Sequence, residues 1–338
     1  MTLLRGCESM LERIALPGGG RASTRLGFGG SGLMGGLSER ESLILLETAF
    51  EAGIRHFDVA PSYGHGQAER CLGKFLRGKT EQVTVTTKYG ILPPAQAGLL
   101  GVARDIMRPA LRRLPAVRKR VARAAAGLKT QARFSADEAR RSLDRSLRHL
   151  GIARVDVWLL HEATADNLDD SDLLPFLQNM RQQGRIGIYG VGTERRQVDA
   201  VWQRHPGYCP VLQFEWSVLD NEAEFPGAFF IHHRAVSGAM GAIQNAFERN
   251  AEMCGRWSNA VDANLAEPHI LASVLLQAAL ASNPNSMVLF SSRVPAHIRA
   301  NVRGIEGPAS VARGKRFLEL VAEGRDWMGE RAEKGPRT

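Results

Sequence analysis

Short apolar runs, each rich in β-branched or aromatic residues, alternate with amphipathic stretches along almost the whole 338-residue chain. Runs over 25–29, 54–58, 83–87, 155–160, 187–191, 211–214, 228–232 and 286–290 predict eight strands. Stretches 38–52, 67–77, 137–150, 170–183, 194–204 and 268–282 predict helices between them. Their ends carry signals. Ser38 with Glu41 three positions on reads as a capping box, and Gly53, Gly151 and Gly184 stand just past helix ends, where a left-handed cap suits glycine. Strand followed by helix, repeated in this way, predicts an α/β fold: a closed parallel (β/α)8 TIM barrel, one domain over 1–338.

Two stretches break the rhythm. Residues 91–134 follow the third strand, and 233–267 form a long loop after the seventh. Both are βα connections, which a barrel places on the face at its strand C-termini, where binding residues gather. In the first, Val102, Ile106, Ala110, Leu114, Val117 and Val121 recur at near-helical spacing, interrupted by Pro109 and Pro115, and predict a helical lid. The tail 330–338 reads as disordered.

Charge changes the picture once it is located. The net +9 suggests an anionic partner, but 91–134 holds ten Lys/Arg and a single Asp, so the remaining 34 basic and 34 acidic residues balance. The excess therefore belongs to the insert, beside the cavity mouth. There it is a solvated lid surface, a lure for anionic substrates such as phosphorylated or nucleotide-linked sugars, or a dock for an anionic membrane surface or an acidic partner. Nucleic acid is not expected, because no aromatic residues interleave the basic ones. No apolar run is long enough for a transmembrane span, and Glu8 and Glu12 interrupt any signal-peptide core, so a cytoplasmic location is expected. Four cysteines without CxxC spacing suit reduced thiols better than a zinc site.

Candidate chemistry sits where strands end. RHFDVAPSYG, VTVTTKYG and VDVWLLHE deliver Asp58, Tyr63, Lys88 and His161: an acid, a phenol, an ammonium and an imidazole on one rim. GFGGSG, Gly27 to Gly32, formally matches a dinucleotide fingerprint. The next helix starts several residues later, so a close-packed, ligand-facing loop around Gly30 is the better reading.

From LGFGGSGLMGG through FDVAPSYGHGQAE, TTKYG, LLHE and LQFEWS to LFSSRVPAHIRAN, the chain resembles the aldo-keto reductase superfamily. The resemblance implies an oxidoreductase barrel that binds NADPH in extended form, without a Rossmann domain or metal. It assigns catalysis to Tyr63, Asp58, Lys88 and His161, and a carbonyl substrate: an aldehyde, a ketone or a sugar, with anionic ones included. For the cofactor it implies Gly30, Asp58, Gln213 at the carboxamide, Trp216 stacked on the ring, and Ser291, Ser292, Arg293, His297 and Asn301 around the adenosine end. Arg293 can pair a 2′-phosphate, which favours NADPH over NADH.

The residues make chemical sense in those roles. Tyr63 is the general acid; an adjacent Lys88 should lower its pKa, Asp58 should hold Lys88, and His161 should orient the carbonyl. Departures from the family pattern are Gly192-Thr193 for a Ser-Asn pair, Ser291 for Lys or Gly, His297 for Arg or Gln, and His232-His233 before Arg234 for Tyr-Ser-Pro. They leave open a nucleotide-binding regulatory protein with little turnover. An aldolase with Lys88 as Schiff base is a further alternative. A metal at the vicinal histidines is not expected, because neighbouring strand residues face opposite ways.

Overall fold

The computed structural model describes residues 11–18, 21–92, 130–131, 134–169, 172–221 and 224–324. All eight expected strands form: β1 Leu26–Gly29, β2 His56–Asp58, β3 Thr84–Tyr89, β4 Val155–His161, β5 Ile186–Gly192, β6 Val211–Glu215, β7 Phe229–His233 and β8 Met287–Phe290. Each pairs in parallel with its neighbours, and β8 closes on β1 in the register Val288 to Leu26, so the sheet is a barrel without edges.

Parity along each strand decides what faces the interior. Val157, Leu159, Ile188, Val211, Ile231, Met287 and Leu289 fill the barrel, with Leu16 beneath them. On β2 and β3 the inward positions are polar: the His56 ring bonds Thr84 Oγ1 at 2.9 Å and Thr86 Oγ1 at 3.0 Å, a satisfied buried network. Outward residues meet the helices. Phe57 packs on Phe75, and Tyr89 stacks on Trp158, 5.8 Å between ring centroids. Tyr89, though adjacent to Lys88, therefore points away from the site.

The described helices are α1 Glu39–Glu51, α2 Ala68–Leu76, α3 Ala136–Leu150, α4 Leu173–Gln182, α5 Arg195–Arg204, α6 Met240–Arg249, α7 Ala251–Ala260, α8 Pro268–Ser282, α9 Pro295–Gly304 and α10 Pro308–Glu323. Ser38 and Glu41 form the expected capping box on α1. Gly53, Gly151 and Gly184 all have positive φ, and Gly151 at 66° is the left-handed cap of α3. The expected long loop after β7 contains two helices, α6 and α7, and the segment after β8 continues into α9 and α10.

A hairpin of Arg13–Ala15 and Ala22–Thr24 covers the N-terminal end of the barrel. It is anchored by Arg21, which grips both oxygens of the buried Asp156 carboxylate at 3.1 and 3.2 Å. Of the basic insert, 93–129 and 132–133 lie outside the described residues, as does the tail 330–338. The remnants of the insert form a two-stranded ribbon, Ile91–Leu92 with Thr130–Gln131. No described helix is long and apolar enough to cross a membrane.

Candidate active site

Inward parity and strand ends together build the site. Thr84, Thr86 and Lys88 share one face of β3, His56 and Asp58 one face of β2, and Val157, Leu159 and His161 one face of β4. Lys88 Nζ donates to Asp58 Oδ1 at 2.5 Å, to the Val59 carbonyl at 3.3 Å and to Tyr63 Oη at 3.4 Å. Asp58 Oδ2 accepts from Gln213 Nε2 at 2.8 Å. Tyr63 and His161 meet edge to face, with ring centroids 5.9 Å apart. The four residues read as catalytic thus converge on one point.

That point is the floor of a cavity of about 890 Å³. Its walls run from Tyr63, His161 and Glu162, past Thr193, Gln213 and His233, to Ser291 and Asn301. Ile91 and Leu92, the first residues of the insert, belong to the rim.

Electrostatics separate the partners. Burial works against the Lys88 ammonium, but Asp58 and then Tyr63 overcome it, and its pKa lies above the ordinary lysine value. Tyr63 departs from the expectation. Burial pushes its phenol up, and Lys88 offsets only part of that push, while Asp58 and Glu162 add to it. The net direction is upward, so the Tyr63 phenol keeps its proton at neutral pH.

The cofactor residues divide. Gln213, Ser291 and Asn301 line the cavity. Ser292 and Arg293 line an adjoining cleft of about 230 Å³ that shares Gly29, Ser31 and Ser291 with it. A Cβ on Gly30 would lie 2.8 Å from the Asp58 carbonyl and 3.0 Å from Leu33, so glycine there lets the end of β1 pack close to β2; Gly29, not Gly30, lines the cavity and the cleft. His297 is exposed on α9, outside the walls of both. Trp216 does not line the cavity either. Gln213 and Glu215 face inward, so Phe214 and Trp216 face outward, where the indole is buried against His232. The same parity splits the vicinal histidines: His232 packs on Phe214, 4.8 Å between centroids, whereas His233 lines the cavity. Burial lowers the pKa of both, His232 to about 4 and His233 to about 3. No cluster of three or more metal-binding side chains occurs among the described residues.

The donor set of these walls is of the kind a nicotinamide dinucleotide needs. A carboxamide on the floor (Gln213), Thr193 beside it, and the uncharged hydrogen-bonding groups Ser291 and Asn301 form a polar trough flanked by the backbone of Gly29 and Gly192. His233 in the trough entered the sequence reading only as a departure from the family pattern, and Glu162 beside His161 escaped it. Strand parity could have found the first. The second depends on a backbone turn that glutamate does not advertise.

Known proteins share this architecture. The chain is 30% identical to D-threo-aldose 1-dehydrogenase from a Pseudomonas species over 184 residues, 52% of this chain and about half, 51%, of that enzyme. It is 27% identical to pyridoxal 4-dehydrogenase from Microbacterium luteolum over 330 residues, 86% of this chain and 92% of that one. Among solved structures, an aldo-keto reductase from Bacillus halodurans in its holo form superposes with a TM-score of 0.65 at 18% identity, covering 92% of this chain and 96% of that one. One from Klebsiella pneumoniae in complex with NADP and acetate gives 0.62 at 16% identity, covering 93% and 95%. Residues 25–226 match the model of the aldo/keto reductase family. The chain belongs to that family, whose members are NAD(P)H-dependent oxidoreductases acting on carbonyl groups.

Proposed function

We propose that this protein interconverts a carbonyl compound and its alcohol, with Tyr63 as the general acid and base and NADPH preferred over NADH. One observation carries the reading: the Tyr63 hydroxyl lies 3.4 Å from a Lys88 ammonium that Asp58 holds at 2.5 Å, on the floor of a cavity of about 890 Å³. When bound, a reduced nicotinamide supplies hydride to the carbonyl carbon.

The chain's own residues handle the oxygen. His161 donates a hydrogen bond that places the carbonyl oxygen near Tyr63 Oη. As negative charge grows on that oxygen, Tyr63 gives up its proton to it, and the phenolate formed is balanced by Lys88. Asp58 does not touch the reacting oxygen; it keeps Lys88 charged and aimed. Gln213 is fixed by Asp58 through its amide nitrogen, which turns its carbonyl oxygen toward a nicotinamide carboxamide. Ser291 and Asn301 would hold the far end, with Ser292, Arg293 and the exposed His297 nearest the adenosine phosphate.

Fluorescence titration with NADPH and NADH, followed by stopped-flow oxidation of bound NADPH over a panel of aldehydes, ketones and sugars, tests the reading. Tight binding with no oxidation by any of them would favour the regulatory alternative. The bond from Lys88 to Asp58 argues against Schiff-base chemistry, because it keeps the amine protonated and unreactive.

A further inference from the structure

Outside the barrel, α2 and α3 meet beside a second concavity. Gly73 of α2 lies so close to α3 that a Cβ there would be 2.3 Å from the His149 carbonyl oxygen. Both helices thereby open onto one cleft of about 680 Å³, which shares no lining residue with the catalytic cavity. Arg70, Lys74 and Arg77 line it from α2 and its C-cap, Arg148 and His149 from α3, and Glu39 from the start of α1.

The charges there do not cancel. Glu39 grips Lys74 with both carboxylate oxygens, each at 2.7 Å. Behind the wall, the buried Glu69 carboxylate accepts from Thr87 Oγ1 at 2.8 Å and meets His149 Nδ1 at 3.3 Å, which fixes that ring in place. Arg70, Arg77 and Arg148 have no carboxylate partner among the described residues. Even with Glu69 counted, four Lys/Arg cations meet two carboxylates, so two positive charges are left over.

Helix ends explain part of this. A cation in a last turn offsets the helix dipole, and Lys74 and Arg148 stand in such turns. Arg70 has no such role. It sits in the first turn of α2, where a cation is disfavoured, and four residues before the like-charged Lys74. Unpaired guanidinium groups gathered in a hollow repel one another and focus a positive potential that a bound anion relieves.

Charge and size select the anion. A phosphate monoester carries about two negative charges and accepts from two guanidinium groups in bidentate geometry. A single carboxylate would neutralise only half of the excess. A cleft of this volume suits a small molecule, and Met34 and Leu76 in its wall offer apolar contact to an organic remainder. We infer that the α2–α3 cleft binds the phosphate group of a small molecule, held by Arg70 and Arg148 from opposite helices, at a site independent of the carbonyl chemistry proposed above.

Calorimetric titration of the full chain with inorganic phosphate and with phenyl phosphate, at low ionic strength, tests the site. Binding should saturate, and amide exchange should slow over residues 68–78 and 145–151. In Arg70→Gln/Arg148→Gln, both positions being exposed and tolerant of change, the Kd should rise at least about tenfold. Arg293→Gln, beside the cofactor trough, and Arg112→Gln/Arg113→Gln, in the basic insert, should each leave it within about twofold. Tighter binding of phenyl phosphate assigns the cleft to an ester and equal binding to the free ion; both uphold phosphate recognition. No binding by the parent overturns the assignment. So does a Kd that the cleft variant leaves unchanged, or slowed exchange confined to other segments.

Discussion

Asp58 and Lys88 stand on adjacent strands and form an ion pair at 2.5 Å, with side chains only 4% and 1% exposed. Buried charges of this kind are stable as partners and costly when separated. Lys88→Met would leave the Asp58 carboxylate buried with, among the described residues, only the Gln213 side chain as donor, and should destabilise the protein by about 3–5 kcal/mol. Urea unfolding reads that loss directly. Asp58→Asn keeps shape but releases Lys88 from its anion, so Lys88 loses the partner that holds its pKa up. Its turnover should fall while NADPH binding, measured by fluorescence, changes much less.

Tyr63→Phe removes the hydroxyl 3.4 Å from Lys88 and leaves the ring against His161. If Tyr63 has the proposed role, the variant loses the proton donor alone, and kcat should drop by about 10²–10⁴-fold with the fold and cofactor affinity retained. The sign of the pH dependence follows from the raised Tyr63 pKa. The phenol stays protonated through neutral pH, so reduction should be level there and decline only above the ordinary phenol value of about 10. Alcohol oxidation needs phenolate as base and should climb with pH over the same alkaline range. Rates measured in both directions from pH 6 to 11 check it. A reductive limb that falls near neutrality would contradict the burial argument.

Much of this site was legible in the sequence because parallel strands end in polar residues only where the barrel opens. Asp58, Lys88 and His161 each close an apolar run, and all three converge with Tyr63. The eight strands were equally plain, since both faces of such a strand are buried. What escaped was short or bent. Strands of three residues, such as Arg13–Ala15, show no period, and the left-handed turns at Glu162 and Arg234 leave no mark in residue type. Trp216 was misplaced for a different reason: family analogy set it in the cavity, while alternation from Gln213 puts it outside. Parity was the stronger guide.

The split between His232 and His233 gives a paired prediction. His232 sits among Phe214, Phe230 and Trp216, so His232→Phe exchanges a buried polar ring for an apolar one of similar shape. Stability should hold or rise by up to about 1 kcal/mol, with kinetics unchanged, because that ring is away from the cavity wall. His233→Phe alters the trough instead. It should change the Kd for NADPH several-fold while melting temperature moves little. Should the two variants behave alike, the parity argument is wrong.

Acid should unfold this protein through its buried histidines. His56 is held to about 3 by burial, with Lys88 adding to the effect, and His232 and His233 lie at about 4 and 3. In the unfolded chain each would take up a proton near the ordinary value of about 6.5. A folded pKa below the unfolded one means that stability is fully present above about pH 6.5 and drains away as pH falls toward 3–4. At the acid end His56 alone should account for roughly 3–5 kcal/mol, since each pH unit between the folded and unfolded values is worth about 1.4 kcal/mol. Replacing it should remove part of that slope, because Thr84 and Thr86 then face a group that no longer titrates. Urea midpoints at pH 7.5, 6, 5 and 4 for the parent and for His56→Gln measure the difference. The glutamine variant should be the less stable at pH 7.5, where it disturbs the threonine bonds, and should lose stability more slowly below pH 6. Parallel pH curves would mean that the acid sensitivity does not arise at His56.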